Sequence, residues 1–338
     1  MTISGLIPAL FAIPAAAMVS AALIWAIRPM LLRHALARPN ARSSHRIPTP
    51  QGAGIAVMAA TLVVSCGIAV WGGAAELKIP LAVFGAALFI ALVGFADDVK
   101  SIDVLPRLLL QAAAVAAILL AAPGDLQIVP ACPLWVERAI LLLAGLWFVN
   151  LVNFMDGLDW MTVAEVVPIT AALVLLGLLG QFPASATLVA AALCGAMLGF
   201  APFNRPVARI FLGDVGSLPI GLLLGWCLLQ LAYRQQFAAA LLLPLYYLLD
   251  ATVTLLRRLA RREPFWAAHR SHFYQRATDN GFTVWRVVSE VFALNILLAA
   301  LAVGSILAAS AALKIVLLLA GGILTALVMY RFSRRRAP

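Results

Sequence analysis

Eleven apolar runs, each close to the length of a membrane crossing, divide this 338-residue chain from end to end. They fall at roughly 5–27, 53–75, 79–96, 108–122, 139–155, 163–180, 186–203, 218–233, 238–256, 285–309 and 311–330. A crossing needs about 20 apolar residues. Lipid offers a spanning backbone no hydrogen-bond partners, which leaves only the helix and the closed barrel. Continuous runs of this length read as helices. The composition agrees, with 64% hydrophobic and 11% charged residues, against about 45–50% and about 25% in a soluble domain. A soluble enzyme on one anchor, a disordered chain and a disulfide-stapled secreted domain are excluded. The expected fold class is all-α: one polytopic integral membrane domain over 1–338 with about 11 transmembrane helices. The first run has no basic residue before it and arginines after it, so it reads as a retained span rather than a cleaved signal.

The charges give this bundle two different ends. The net charge is +10, from 24 Lys+Arg and 14 Asp+Glu. In a soluble protein that excess points to nucleic acid; in a polytopic one it is the positive-inside bias, and no nucleic-acid partner is expected. Twenty of the 24 basic residues follow odd-numbered runs, leaving Lys78, Arg138, Arg234 and Lys314 for the other side. The N-terminus is therefore expected outside and the C-terminus in the cytoplasm. The polar residues able to do chemistry follow the same odd runs. Ionisable groups at membrane depth are costly and usually functional. Five loops, 28–52, 97–107, 156–162, 204–217 and 257–284, are thus expected to build one composite cytoplasmic site. Cys66, Cys194 and Cys227 lie inside apolar runs and Cys132 stands alone, so the thiols indicate neither zinc nor a disulfide framework.

Each loop carries a constellation. In Asn40-Ala-Arg-Ser-Ser-His45-Arg-Ile-Pro48-Thr-Pro50-Gln-Gly52-Ala-Gly54, prolines and then glycines predict a rigid turn and a close backbone approach. Its arginines alone read as topology signals; the Ser-Ser-His-Arg core could line an anion site. Asp97 and Asp98 close an apolar helix, where they repel each other and oppose the helix dipole; Lys100, Arg107 and Gln111 follow. Asn150, Asn153, Asp156 and Asp159 recur every three residues at another helix end. Neighbours three apart meet on a helix face, and Gly157 is expected to turn the chain so that Asp159 stays in reach. Such oxygens suit a hard cation such as Mg²⁺. In Asn204 to Pro219, glycines flank Asp214, Ser217 is expected to cap the next helix, and the loop reads as a phosphate cradle at a helix N-terminus. In His269-Arg270-Ser-His272-Phe-Tyr274-Gln-Arg276, histidine and arginine donors could clamp a pyrophosphate, while Arg257, Arg258, Arg261 and Arg262 read as lipid-facing.

Together these residues, from about Asn40 to Arg276, resemble the polyprenyl-phosphate N-acetylhexosamine-1-phosphate transferase family. That family includes the phospho-N-acetylmuramoyl-pentapeptide transferase and the enzymes that initiate O-antigen and teichoic acid linkage units. The Ser-Ser-His-Arg and His-Arg-Ser-His-Phe-Tyr-Gln runs look most like the O-antigen-initiating branch, including enzymes for 6-deoxy sugars. The departures are Ala53 within a usual run of glycines, Gln51 where a basic residue is common, and Trp160 where a second glycine usually follows Asp159.

The resemblance implies a Mg-dependent enzyme, with Mn²⁺ as the alternative ion. It moves N-acetylhexosamine 1-phosphate from a UDP-sugar to undecaprenyl phosphate and releases UMP, the first membrane step of O-antigen or other cell-envelope polysaccharide synthesis. It also implies a multi-pass protein of the bacterial inner membrane, in contact with membrane lipids; a homodimer stays open. By the same resemblance Asp97 and Asp98 are the catalytic pair. Asp214 holds the metal with Asn153 as second ligand. Asn150, Asp156, Asp159, His269, Arg270, His272, Arg276 and His45 bind substrate. Direct attack and a covalent intermediate both remain open. The rival class is a cation-coupled transporter, which calls for acids near mid-span and paired broken helices; only Glu165, Asp250 and Glu290 fall inside runs.

Overall fold

A computed structural model of the chain describes residues 7–37, 48–71, 77–124, 126–263 and 269–335. His45 and its neighbouring arginines Arg38, Arg42 and Arg46 lie outside the described residues. The elements in order are α1 (Ile7–His34), β1 (Leu36–Ala37), β2 (Thr49–Pro50), α2 (Gly54–Trp71), α3 (Leu81–Val99), α4 (Val104–Ala121) and α5 (Leu134–Met155). Then come α6 (Met161–Leu178), α7 (Ala184–Asn204), α8 (Asp214–Tyr233), α9 (Phe237–Leu242), α10 (Leu245–Ala260), α11 (Phe273–Asp279), α12 (Val284–Leu307) and α13 (Ala311–Phe332). The fold is an all-α polytopic membrane protein. Helices α3, α5 and α7 start directly after Pro80, Pro133 and Pro183, where a fixed φ and a missing N–H cost the helix nothing.

Among the described residues ten helices are long and apolar enough to cross a membrane: all except α9, α10 and α11. The eleventh crossing follows from which ends meet. The end of α3 meets the start of α8 through Asp98 and the backbone of Asp214. The end of α5 meets the same start through Asn153. The end of α7 meets the start of α6 through Asn204 and Trp160 N–H, and Trp160 touches Trp285 at the start of α12. The far end of α8 lies with the 122–138 segment, where Arg138 donates to Tyr233 Oη and Gln235 to the Ile128 carbonyl. Both α8 and α12 therefore leave from one end, and α9 with α10 carries the chain back. The expected run at 238–256 is one crossing in two pieces, broken at Pro244, which cannot continue a helix interior. An odd number of crossings results, with the starts of α1 and the end of α13 at opposite ends.

Helices α6, α7 and α8 are buried on nearly every face, as a helix apolar all round must be. Helix α1 lies against α7, and α3 and α5 lie against α8. At the polar end the packing is very close. A Cβ on Gly54 would strike the backbone of Gly216, and one on Gly94 would strike the Asp214 carbonyl. Glycine at these two positions lets α2 and α3 approach the first turn of α8. The expected close backbone approach is present, and β2 pairs with β1. Gly52 and Ala53 N–H both donate to the Phe211 carbonyl, and Gly54 N–H to that of Leu212.

Candidate active site

The start of α8 is the centre of the site. Gly213 stands at its N-cap with φ 81°, a conformation that glycine adopts without strain. The expected Ser217 cap does not form. Instead Asp98 supplies the capping anion: Oδ1 accepts from Asp214 N–H at 2.9 Å and Oδ2 from Val215 N–H at 3.0 Å. Gln51 Nε2 also donates to Asp98, at 2.5 Å. This corrects the reading of the loop as a phosphate cradle, because a carboxylate of the chain itself occupies those N–H groups. It also resolves the unfavourable placement of Asp98 at the end of α3: the positive end of α8 compensates the negative end of α3. Ser217, one turn in, accepts from Asn153 Nδ2 at 2.9 Å.

Asp97 turns the other way. It accepts from Ile102 N–H at 2.6 Å and pairs with Arg107 at 2.8 Å. Its carboxyl also lies within hydrogen-bonding reach of Asp214. Asn153 Nδ2 donates to Asp214 Oδ1 at 2.8 Å, so its own Oδ1 is not used in that bond. Asp156 accepts from the Thr162 hydroxyl. Burial, with the charges of Asp98 and Asp159 added, pushes the Asp156 carboxyl up to about 7 against the lowering effect of Thr162. Asp159 accepts from Ala208 N–H at 3.0 Å, which ties this turn to the 205–213 loop. The acids of three loops thus converge.

Like charges gathered this way need a cation or protons between them. Among the described residues no three His, Cys, Asp or Glu side chains come close enough to hold a metal alone. Asp214 with the Asn153 amide is a two-ligand set, which fits an ion that keeps waters and takes its remaining ligands from substrate phosphates.

The other expected residues divide. Asn150 is buried in α5 just over one turn before its end, where its Nδ2 donates to Gln111 of α4 at 2.7 Å and to the Leu146 carbonyl; it joins two helices rather than entering the acidic cluster. The rings of His269 and His272 lie tilted at 32° to each other, with centroids 5.0 Å apart. Arg270 points to Asp279, 3.3 Å away, and Arg276 is half-buried on α11. Helix α11 is fastened to the end of α5 by Tyr274, whose hydroxyl donates to the Phe154 carbonyl at 3.0 Å. A Cβ on Gly157 would strike that hydroxyl, so this glycine makes room for Tyr274 rather than supplying a turn with positive φ. Trp160, with φ 65°, is the residue that takes the left-handed conformation. Its N–H donates to Asn204 Oδ1 and its Nε1 to the Ala201 carbonyl. Its ring lies edge-on to Trp285, with centroids 5.2 Å apart. Beside it a cavity of about 800 Å³ is walled by Arg28, Thr49, Asp159, Arg209 and Trp285. Two contributors escaped the sequence reading: Gln51, seen only as a departure, and Asp250, a lone acid in an apolar run.

One end of the helix bundle thus gathers acids from three loops at the start of α8, with α11 and His272 fastened to the end of α5. The profile of glycosyl transferase family 4 matches residues 80–232. A decaprenyl-phosphate N-acetylglucosaminephosphotransferase of Mycobacterium leprae is 30% identical over 293 residues, covering 76% of this chain and 73% of its own. A probable undecaprenyl-phosphate N-acetylglucosaminyl 1-phosphate transferase of Bacillus subtilis is 27% identical, covering 74% and 71%. A phospho-N-acetylmuramoyl-pentapeptide-transferase of a Wolbachia strain is 39% identical over a shorter stretch, 26% of this chain and 27% of its own. The chain belongs to glycosyl transferase family 4, the polyprenyl-phosphate sugar-1-phosphate transferases.

Proposed function

We propose that this protein transfers N-acetylhexosamine 1-phosphate from a UDP-sugar to undecaprenyl phosphate at the cytoplasmic face of a bacterial inner membrane. The observation that carries the reading is the convergence of Asp97, Asp98, Asn153, Asp156 and Asp214 at one end of a bundle of helices long and apolar enough to cross a membrane. An oxygen of the acceptor phosphate forms a bond to the sugar-linked phosphorus of the donor. The bond from that phosphorus to the bridging oxygen breaks, and the electron pair leaves with UMP. Such transfers depend chiefly on positioning and charge neutralisation.

Asp214 and Asn153 would hold Mg²⁺, or Mn²⁺ in its place, whose charge offsets that of the diphosphate. Asp97 faces Asp214 and is the better candidate to orient the acceptor phosphate or take its proton; that proton titrates near neutral pH, so the base contribution is small. Asp98 fixes the first turn of α8 and thereby the position of Asp214. His272, His269 and Arg276 would bind the diphosphate, with Arg270 once it leaves Asp279. The cavity beside Trp285 and Asp159 is the donor's seat. The 6-deoxy preference and the O-antigen role rest on the resemblance of the Ser-Ser-His-Arg and His-Arg-Ser-His-Phe-Tyr-Gln runs.

The test is UMP release by purified protein from a panel of UDP-N-acetyl sugars, with and without undecaprenyl phosphate and Mg²⁺. Release that needs both supports the reading. Cation-driven uptake into proteoliposomes with no UMP release overturns it in favour of a transporter.

A further inference from the structure

Asp250 lies in α10 and is wholly buried. A carboxylate in a membrane protein's interior is costly unless charge-paired and hydrogen-bonded, and usually marks function. Here it is surrounded by donors. Oδ1 accepts from Phe273 N–H at 3.0 Å and lies 3.3 Å from His272 Nδ1 and 3.3 Å from the Thr254 hydroxyl. Oδ2 accepts from Tyr274 N–H at 3.2 Å and from the Tyr246 hydroxyl at 3.1 Å. One side chain thus receives the first two N–H groups of α11 and one ring nitrogen of the residue that precedes it. His272 is itself buried, with its ring between those of His269 and Tyr274.

We propose that Asp250 is a positioning residue: it holds Nδ1 of His272, fixes the tautomer and ring plane, and leaves Nε2 as the nitrogen that meets the ligand's phosphate oxygens. The inference rests on the transferase reading for what His272 binds, but not for the pairing itself. A neutral imidazole has one donor and one acceptor nitrogen, and the partner of one decides the role of the other. A carboxylate can only accept. It therefore requires Nδ1–H, and Nε2 is an acceptor when the ring is neutral and a second donor when it is protonated. Docking of α11 on α5 through Tyr274 and Phe154 places the oriented ring beside the Asn153–Asp156 segment. Asp250 touches no substrate; it acts through His272.

The test separates this role from simple fastening of α11. The chain has 4 histidines, so ring nitrogen resonances of ¹⁵N-histidine-labelled protein can be assigned by loss in His272→Asn. Asp250→Asn is expected to shift the His272 ring nitrogens towards the other tautomer, because an amide can donate to Nδ1. Tyr246→Phe removes a different bond to the same carboxylate and is expected to leave those resonances in place, which controls for folding. In UMP release, Asp250→Asn and His272→Asn are each expected to lower the rate at least tenfold, and the double variant to be no slower than the slower single. Unchanged His272 resonances in Asp250→Asn overturn the pairing. Losses that multiply in the double variant show that Asp250 acts elsewhere on α11, and overturn the positioning role. A wild type that releases no UMP counts against the transferase reading, while the resonances still decide the pairing.

Discussion

Two adjacent carboxylates in the site have different work, which their bonds make plain. Asp98 spends both oxygens on the backbone of α8 and takes a third bond from Gln51. Hydrogen bonds to a charged group contribute about 1.5–3 kcal/mol each. Asp98→Ala should therefore lower thermal stability in detergent along with activity. Asp97→Asn keeps an acceptor for Ile102 N–H and loses the charge facing Arg107, so it should lower the melting temperature less than Asp98→Ala does, while lost orientation of the acceptor phosphate cuts kcat by about 100-fold with the KM for nucleotide sugar little changed. The reverse pattern, with Asp97→Asn unstable and Asp98→Ala merely slow, would show the roles exchanged. Asp156 supplies a pH handle. Burial pushes its carboxyl in the folded state up to about 7, above the ordinary aspartate value of 3.8, so the folded state binds its proton more tightly than the unfolded one. Stability is then full below the unfolded value and falls as pH rises from about 4 towards 7, by on the order of 4 kcal/mol in metal-free protein. Asp156→Asn should flatten that window in EDTA-treated samples. A wild type whose melting temperature rises across it would contradict the assignment.

Segments meet at this site because small residues let them. Gly157 gives way to the Tyr274 hydroxyl, which fastens α11 to α5. Gly157→Ala forces a clash that should cost about 1–3 kcal/mol, and adding Tyr274→Phe should recover part of the loss. A double variant no better than Gly157→Ala alone would show that the two do not touch. These are contacts between residues far apart in the chain, and their partners could not be read from the sequence. The runs, the polar loops and the residues of the acidic cluster were legible, since spans announce themselves by length and the acids by their cost in lipid. What was not legible was partnership. Nothing near Asp98 in sequence says that it caps a helix 116 residues away. Nothing near Ser217 says that a distant carboxylate has taken the capping role. Asp250 lacked any recognisable motif, because beyond Tyr246 and Thr254 on its own helix the groups it binds lie 22 to 24 residues further on.

On the scale of the molecule, the ten long apolar helices among the described residues, with α9 and α10 read as one further broken crossing, place the loops after odd-numbered spans at one end. The 20-to-4 division of basic residues was legible for the same reason: charge asymmetry is a property of the loops and needs no knowledge of packing. The broken crossing was only half legible, since Pro244 sits inside a run that reads as continuous. Single cysteines placed at 103, 158, 207 and 280 should label only from the cytoplasmic side of sealed cells, and one at 235 only from outside. External labelling at any of the first four would break the shared site.

The central claim is that a phosphate bound to sugar leaves one carrier for another, so its fate is the most direct evidence. Purified protein would receive a UDP-N-acetyl sugar labelled with ³²P at the sugar-linked phosphate, together with undecaprenyl phosphate and Mg²⁺. The label should pass into the lipid phase in equal amount with UMP released. Label that stays in the aqueous phase, as intact donor or as free sugar phosphate, would contradict the account.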